Sequence, residues 1–186
     1  MSCQVINHLP DIENKSYLEL GVFKNYNFMS IRSNDKFSVD LNGKALFTGT
    51  TDEYFAGLDI DKKFDIIFID ANHDYDFVLR DFNNSVDHCN EWILIHDMIP
   101  PSEEHAQSHL CSDSYKLLYY FLKEEDFKIF PMNENFGLTL IKMPAKKVFP
   151  SDYYKNLSYN EFLDFIKNVR LYSNDEIIKI LEEQNV

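Results

Sequence analysis

The stretch Phe64-Asp-Ile-Ile-Phe-Ile-Asp70-Ala-Asn-His73-Asp-Tyr75 decides how this 186-residue chain folds. Its first part is an almost unbroken run of apolar β-formers that stops at a carboxylate, the pattern of a parallel strand buried on both faces. Downstream, Tyr75, Val78, Leu79, Phe82 and Val86 recur at helical spacing, which predicts a helix with Asp74 as its N-cap. A buried strand feeding directly into an amphipathic helix is half of a strand-helix-strand unit, and the other half follows in Glu91-Trp-Ile-Leu-Ile-His96-Asp97, a strand again ending on an acid.

Upstream, Ser16-Tyr-Leu-Glu19-Leu-Gly21-Val22, Lys36-Phe-Ser-Val-Asp40 and Ala45-Leu-Phe-Thr48 read as three strands, with Thr or Asp of Gly49-Thr-Thr-Asp52 capping a short helix. Beyond strand five, a helix over 114–123 precedes strands over 127–130 and 137–141, which the Asn133-Glu-Asn135 turn joins antiparallel. The sum is a three-layer α/β/α Rossmann-like fold, a mostly parallel sheet with one antiparallel strand near its end. Residues 16–143 form its core within a single domain spanning 1–186. In 144–186, the capping boxes Ser158-x-x-Glu161 and Ser173-x-x-Glu176 open two amphipathic helices, an appendage packed on the sheet or on another subunit.

With 18 basic and 31 acidic side chains the net charge is −13. No basic stripe is available to neutralise phosphates, which argues against a nucleic-acid partner and against an anionic membrane surface. Cys3, Cys89 and Cys111 form no paired pattern, and neither a leader-like N-terminus nor a long apolar run is present. The expectation is a cytoplasmic protein with free thiols.

In an open α/β sheet, ligands bind outside the carboxyl ends of the strands. Those ends carry Glu19 and Gly21, Asp40, Thr50 with Thr51 and Asp52, Asp70 with His73, and His96 with Asp97. Any one of these acids is explained by capping the next helix, but their concentration on one edge is not. Neither GxGxxG nor GxxxxGK[ST] occurs, so the edge suits a cationic ligand without phosphates to cradle.

Taken in order, Tyr17-Leu-Glu19-Leu-Gly21, Phe37-Ser-Val-Asp40, Gly49-Thr-Thr-Asp-Glu-Tyr-Phe55, the Phe64 to Tyr75 stretch, and Ile95-His-Asp97-Met-Ile-Pro-Pro resemble the class I S-adenosylmethionine-dependent methyltransferases. The branch resembled is that of small stand-alone enzymes acting on sugars or secondary metabolites. The resemblance implies S-adenosyl-L-methionine as cofactor, with Glu19 and Gly21 at its methionine half and Asp40 on the ribose hydroxyls. Thr51 and Asp52 would contact adenine, and Asp70 would lie beside the sulfonium. Asn25 stands where such enzymes place a second glycine; asparagine tolerates the left-handed backbone a turn needs there.

The resemblance further implies His73 as general base, its ordinary pKa lying near neutrality, with Asp70 and Asp97 completing the catalytic set. If a divalent cation such as magnesium is used, Asp70 and Asp97 would hold it, oxygen ligands suiting a hard cation. Of the neighbours His96 and Asp97, strand alternation points only one into the site, and Asp97 is preferred. The long connection 98–112 reads as a substrate loop. His105 and His109 make a poor zinc pair. Asp113 and Lys116 are read as solvated charges, and Tyr115 as core or as a face for the acceptor.

The function expected is methyl transfer to an oxygen or nitrogen of a small, sugar-like acceptor. About 16 residues precede the first strand, so the acceptor pocket is closed by the 98–112 loop and C-terminal helices or by a second subunit in a homo-oligomer. Two alternatives stand beside it: a catalytically inactive S-adenosylmethionine-binding module, and a nicotinamide-dependent reductase.

Overall fold

The computed structural model describes residues 2–183. Strands β1 (Ser16–Leu20), β2 (Asp35–Asp40), β3 (Phe47–Thr48), β4 (Phe64–Ile69), β5 (Cys89–Ile95), β6 (Lys128–Pro131) and β7 (Thr139–Lys142) form one sheet in the order β3-β2-β1-β4-β5-β7-β6. The first five pair in parallel, and β7 runs antiparallel between β5 and β6.

Helices α1 (Ser2–Ile6) and α2 (Tyr26–Ser30) lie on one face, and α3 (Thr51–Gly57), α4 (Tyr75–His88), α5 (Glu103–Ala106), α6 (Tyr115–Glu124), α7 (Asp152–Lys155) and α8 (Tyr159–Ile166) come from the other side of the chain's path; α9 (Asn174–Glu183) returns to α1. Because successive strand residues point to opposite faces, β4 feeds two cores at once. Ile67 and Ile69 pack with Val78, Phe82, Leu118 and Phe162, while Ile66 and Phe68 pack with Val5, Phe28, Ile177 and Leu181. That double burial is why β4 and β5 are nearly continuous in apolar residues. Segment 144–183 contributes to both cores and covers the outer edge of β6, where the Tyr172 amide donates to the Pro131 carbonyl. Both C-terminal capping boxes form as read from the sequence.

Several boundaries differ from the sequence reading. Strand β5 covers Cys89–Ile95 and stops short of His96 and Asp97, while β3 is only two residues long. Asp74 holds the N-cap position of α4 without bonding it through its side chain. That bond comes from Asp113, whose Oδ1 accepts from the Tyr75 amide at 2.6 Å while its Oδ2 pairs with Lys116 at 2.7 Å. Asp113 and Lys116 are therefore a tether between α6 and α4 and not solvated charges. Tyr115 is buried, its hydroxyl donating to the Leu157 carbonyl, so it faces no acceptor.

Candidate active site

Chain direction places the carboxyl ends of β1 to β5 on one edge, and strand order reverses between β1 and β4. A cavity of about 380 Å³ opens at this switch point, lined by Gly21, Asp40, Thr51, Asp52, Asp70 and Asp81 among others. Its size suits one small organic ligand. Its walls include the apolar side chains Phe23, Val39, Leu41 and Phe77.

Gly21, at φ +87°, is required here: a Cβ would overlap the Asp70 carbonyl oxygen. Its amide donates to the Val39 carbonyl at 2.8 Å and the Asp70 amide donates to the Leu20 carbonyl at 2.8 Å, so the ends of β2, β1 and β4 are laced together directly beneath the cavity. Asp40 holds the loop after β1, Oδ2 accepting from the Val22 and Phe23 amides at 2.7 and 2.9 Å and Oδ1 from the Asn42 amide at 2.9 Å. A carboxylate has about four acceptor positions, so one remains for a ligand hydroxyl. Thr50 caps α3 in a reciprocal box with Glu53, which fixes the first turn carrying Thr51 and Asp52.

Beside Asp70 sits a charged cluster. His73 Nε2 lies 3.2 Å from Asp70 Oδ1 and 3.4 Å from Asp97 Oδ2, and His96 Nδ1 lies 3.3 Å from Asp70 Oδ1 and 3.0 Å from Asp97 Oδ1. The backbone explains how consecutive residues share one cluster. β5 has ended, and Asp97 takes φ 59°, so the alternation that would turn His96 away no longer applies. Exclusion of His96 from the site is thus corrected. Asp97 is anchored by Ser114, whose hydroxyl donates to its carbonyl at 2.6 Å.

Burial disfavours the charged Asp70, but the hydrogen bond to His73 and the close approach of His96 outweigh it and hold its pKa below the ordinary value. The histidines respond in kind: burial works against their charge, yet the carboxylates raise His73 and lift His96 to about 10. His73 Nδ1 is buried without a partner, and His96 Nδ1, although close to both acids, makes no well-aligned hydrogen bond.

Four sequence-expected residues do not line the cavity: His73 and Asp97, which adjoin it through Asp70, and Glu19 and Asn25. Glu19 is 1% exposed on β1, its Oε2 accepting from the Tyr17 hydroxyl at 2.5 Å and from Asn27 Nδ2 at 3.0 Å. Burial pushes its carboxyl up to about 7, the two hydrogen bonds opposing. Asn25 has the expected left-handed backbone, φ 69° and ψ 11°, with its Oδ1 buried and unpartnered. His105 bonds Ser102 and stacks on Phe136, and no metal-ligating cluster among the described residues includes His105 or His109. Sequence reasoning passed over Asp81, which is 2% exposed yet lines the cavity. The signal was there: an acid three residues after Val78, on the apolar face of α4.

Residues 32–98, which include the ends of β2 to β5, match the family model of a methyltransferase domain. No curated protein matches the chain. Among solved structures, an O-methyltransferase of Streptomyces achromogenes involved in tomaymycin synthesis, in complex with S-adenosylmethionine, superposes with a TM-score of 0.58 at 11% identity, over 77% of this chain and 78% of its own. An O-methyltransferase of Bacillus cereus in complex with S-adenosylhomocysteine gives 0.56 at 10% identity, over 76% and 78%. An S-adenosylhomocysteine-bound methyltransferase of Podospora anserina gives 0.54 at 17%, over 70% and 72%. The chain therefore shares the fold of these S-adenosylmethionine-dependent methyltransferases and matches a methyltransferase domain over residues 32–98. No helix among the described residues is long and apolar enough to cross a membrane.

Proposed function

We propose that this protein transfers the methyl group of S-adenosylmethionine to an oxygen of a small, polar, sugar-like acceptor. The observation that carries the proposal is the switch-point cavity lined by both Asp40 and Asp70, Asp70 being the member of the His73–Asp70–Asp97 cluster that reaches it. Support for oxygen over nitrogen as acceptor atom comes from the structural neighbours described as O-methyltransferases.

Each part of the cofactor finds matching chemistry. One hydroxyl of the ribose diol would donate to the remaining acceptor position of Asp40, and the sulfonium and methionine end would meet the Asp70 carboxylate near the close-packed Gly21 loop. Transfer is an in-line displacement: the acceptor oxygen forms a bond to the methyl carbon as the carbon–sulfur bond breaks, the bonding pair going to sulfur. The protein aligns the two reactants and removes the acceptor proton. His73 takes that proton, and Asp70 and Asp97 orient the ring and stabilise the imidazolium that forms.

Calorimetry with S-adenosylhomocysteine tests the assignment. Wild type binds, Asp40→Ala loses at least tenfold in affinity, and His73→Ala binds normally but turns over about a hundredfold more slowly. Unchanged affinity in Asp40→Ala would put the cofactor elsewhere; unchanged turnover in His73→Ala would remove the base.

A second reading of the cluster is favoured by one observation. Asp70, His96 and Asp97 each offer a ligand atom, all within 4.8 Å of one another, and the poorly bonded His96 Nδ1 is among them. These three would hold a divalent cation, which would acidify an acceptor hydroxyl bound to it. On this reading a chelator lowers turnover and magnesium or manganese restores it; turnover indifferent to both leaves the work to the histidines.

A further inference from the structure

At the end of the cavity away from Asp70, side chains of α3 and α4 converge. Asp52 Oδ1 lies 2.9 Å from Arg80 Nε, both side chains nearly half exposed, and the Arg80 guanidinium stacks over the Phe77 ring at 4.7 Å. The charge of Asp52 is therefore already matched in solvent. Asp81 is in the opposite situation. It lines the same cavity at 2% exposure, and its partner is the neutral Thr51 hydroxyl, which donates to Oδ1 at 2.6 Å. Burial pushes its carboxyl up to about 6; the Thr51 hydrogen bond opposes this, Asp52 adds to it, and Arg80 subtracts.

A buried carboxylate holding one neutral donor has acceptor capacity to spare, and such groups are normally satisfied. What surrounds it narrows the missing donor. Val39, Leu41, Phe23 and Phe77 are apolar walls of the cavity, suited to a flat ring. The fitting group is an aromatic amine: a planar body against those walls with N–H bonds at its edge. Resting on the S-adenosylmethionine reading above, this end is where the base must lie, since Asp70 faces the sulfonium and Asp40 the ribose between them.

We propose that Asp81, oriented by Thr51, accepts a hydrogen bond from the exocyclic amino group of adenine, and that Asp81 instead of Asp52 makes the site selective for adenine. The contrary view is that Asp81 only ties α4 to α3 through Thr51. The two differ in a measurable way, because a tie supports every cofactor equally whereas a reader of the amine distinguishes ligands that have it from ligands that lack it.

The test is calorimetric titration of the full chain with S-adenosylhomocysteine and with its 6-deamino analogue, in which purine replaces adenine. Wild type is expected to prefer the adenine form by about tenfold, in line with a hydrogen bond to a charged acceptor. Asp81→Ala should bind both forms alike, Asp81→Asn should keep part of the preference, and Asp52→Ala should keep all of it. Asp81→Asn, nearly the same shape, serves if Asp81→Ala does not fold. Equal weakening of both ligands in the Asp81 variants overturns the proposal in favour of a tie, and loss of preference in Asp52→Ala transfers the role to Asp52. Wild type binding both forms equally overturns this inference alone, whereas wild type binding neither overturns the cofactor reading on which it rests.

Discussion

Glu19, buried, and Asp70, half-buried at the cavity, stand at the ends of neighbouring parallel strands, yet their carboxyls move in opposite directions. Glu19 is pushed up to about 7, while Asp70 is held below its ordinary value. Burial penalises charge in both. The difference lies in their neighbours: Glu19 receives a phenol and an amide, neither of which becomes cationic, whereas Asp70 faces two imidazoles, His73 bonded to it and His96 close by, each able to take up a proton. A neutral donor eases a buried carboxylate; a cationic one reverses the penalty. Proximity to the strand end therefore does not define a catalytic acid. The region around Glu19 is a neutral brace beneath the glycine loop, and the region around Asp70 is a charged device open to the cavity.

The largest effect expected from breaking this contrast is at Asp70. Asp70→Asn keeps the shape but removes the charge that both histidines answer, and turnover should fall about a thousandfold, roughly 4 kcal/mol in the barrier. A fall of less than tenfold in a single-turnover assay would make Asp70 a brace like Glu19.

Next comes Glu19, where the effect is on stability. Its carboxyl rises from 4.5 to about 7 on folding, so the native state binds the extra proton, and stability declines as pH climbs from about 4.5 to about 7. Glu19→Gln, which is neutral throughout, should therefore be more stable than wild type at pH 8 by on the order of 3 kcal/mol, with no gain near pH 4. Urea unfolding at the two pH values checks this, and equal stabilities at pH 8 would mean that folding does not raise the Glu19 carboxyl.

The smallest effect belongs to an acid of a third kind. Asp113 bonds the first amide of α4 from across the fold, and Asp113→Ala should cost about 1 kcal/mol in thermal unfolding, the usual worth of a helix cap. Turnover should stay within about twofold of wild type. A larger loss of turnover than of stability would move Asp113 into the charged device.

The sequence shows the fold clearly wherever burial on two faces forces an unbroken apolar run, as in β4 and β5. It shows the cavity residues where a strand meets a carboxylate, as at Asp40 and Asp70. It misleads where a local rule was carried one residue too far. Alternation holds only while a strand lasts, so His96 was turned outward although β5 ends at Ile95 and Asp97 swings back through a left-handed angle. Proximity in sequence likewise favoured Asp74 as the cap of α4, when Asp113 supplies it from 38 residues away. Contacts of that range leave no periodic trace, which is also why Glu19 could be placed on its strand and not in its nest of Tyr17 and Asn27.

The insertion of β7 between β5 and β6 has a consequence for biosynthesis. A ribosome makes β6 first, but β6 has no place in the sheet until β7 has emerged to lie beside β5. Throughout that interval Trp92-Ile-Leu-Ile95 borders an unpaired edge, the feature that invites joining between unfinished chains. Completion of this sheet thus waits for the strand that is last in sequence yet not last in space, and until β7 is in place the β5 edge stays open to pairing with another chain.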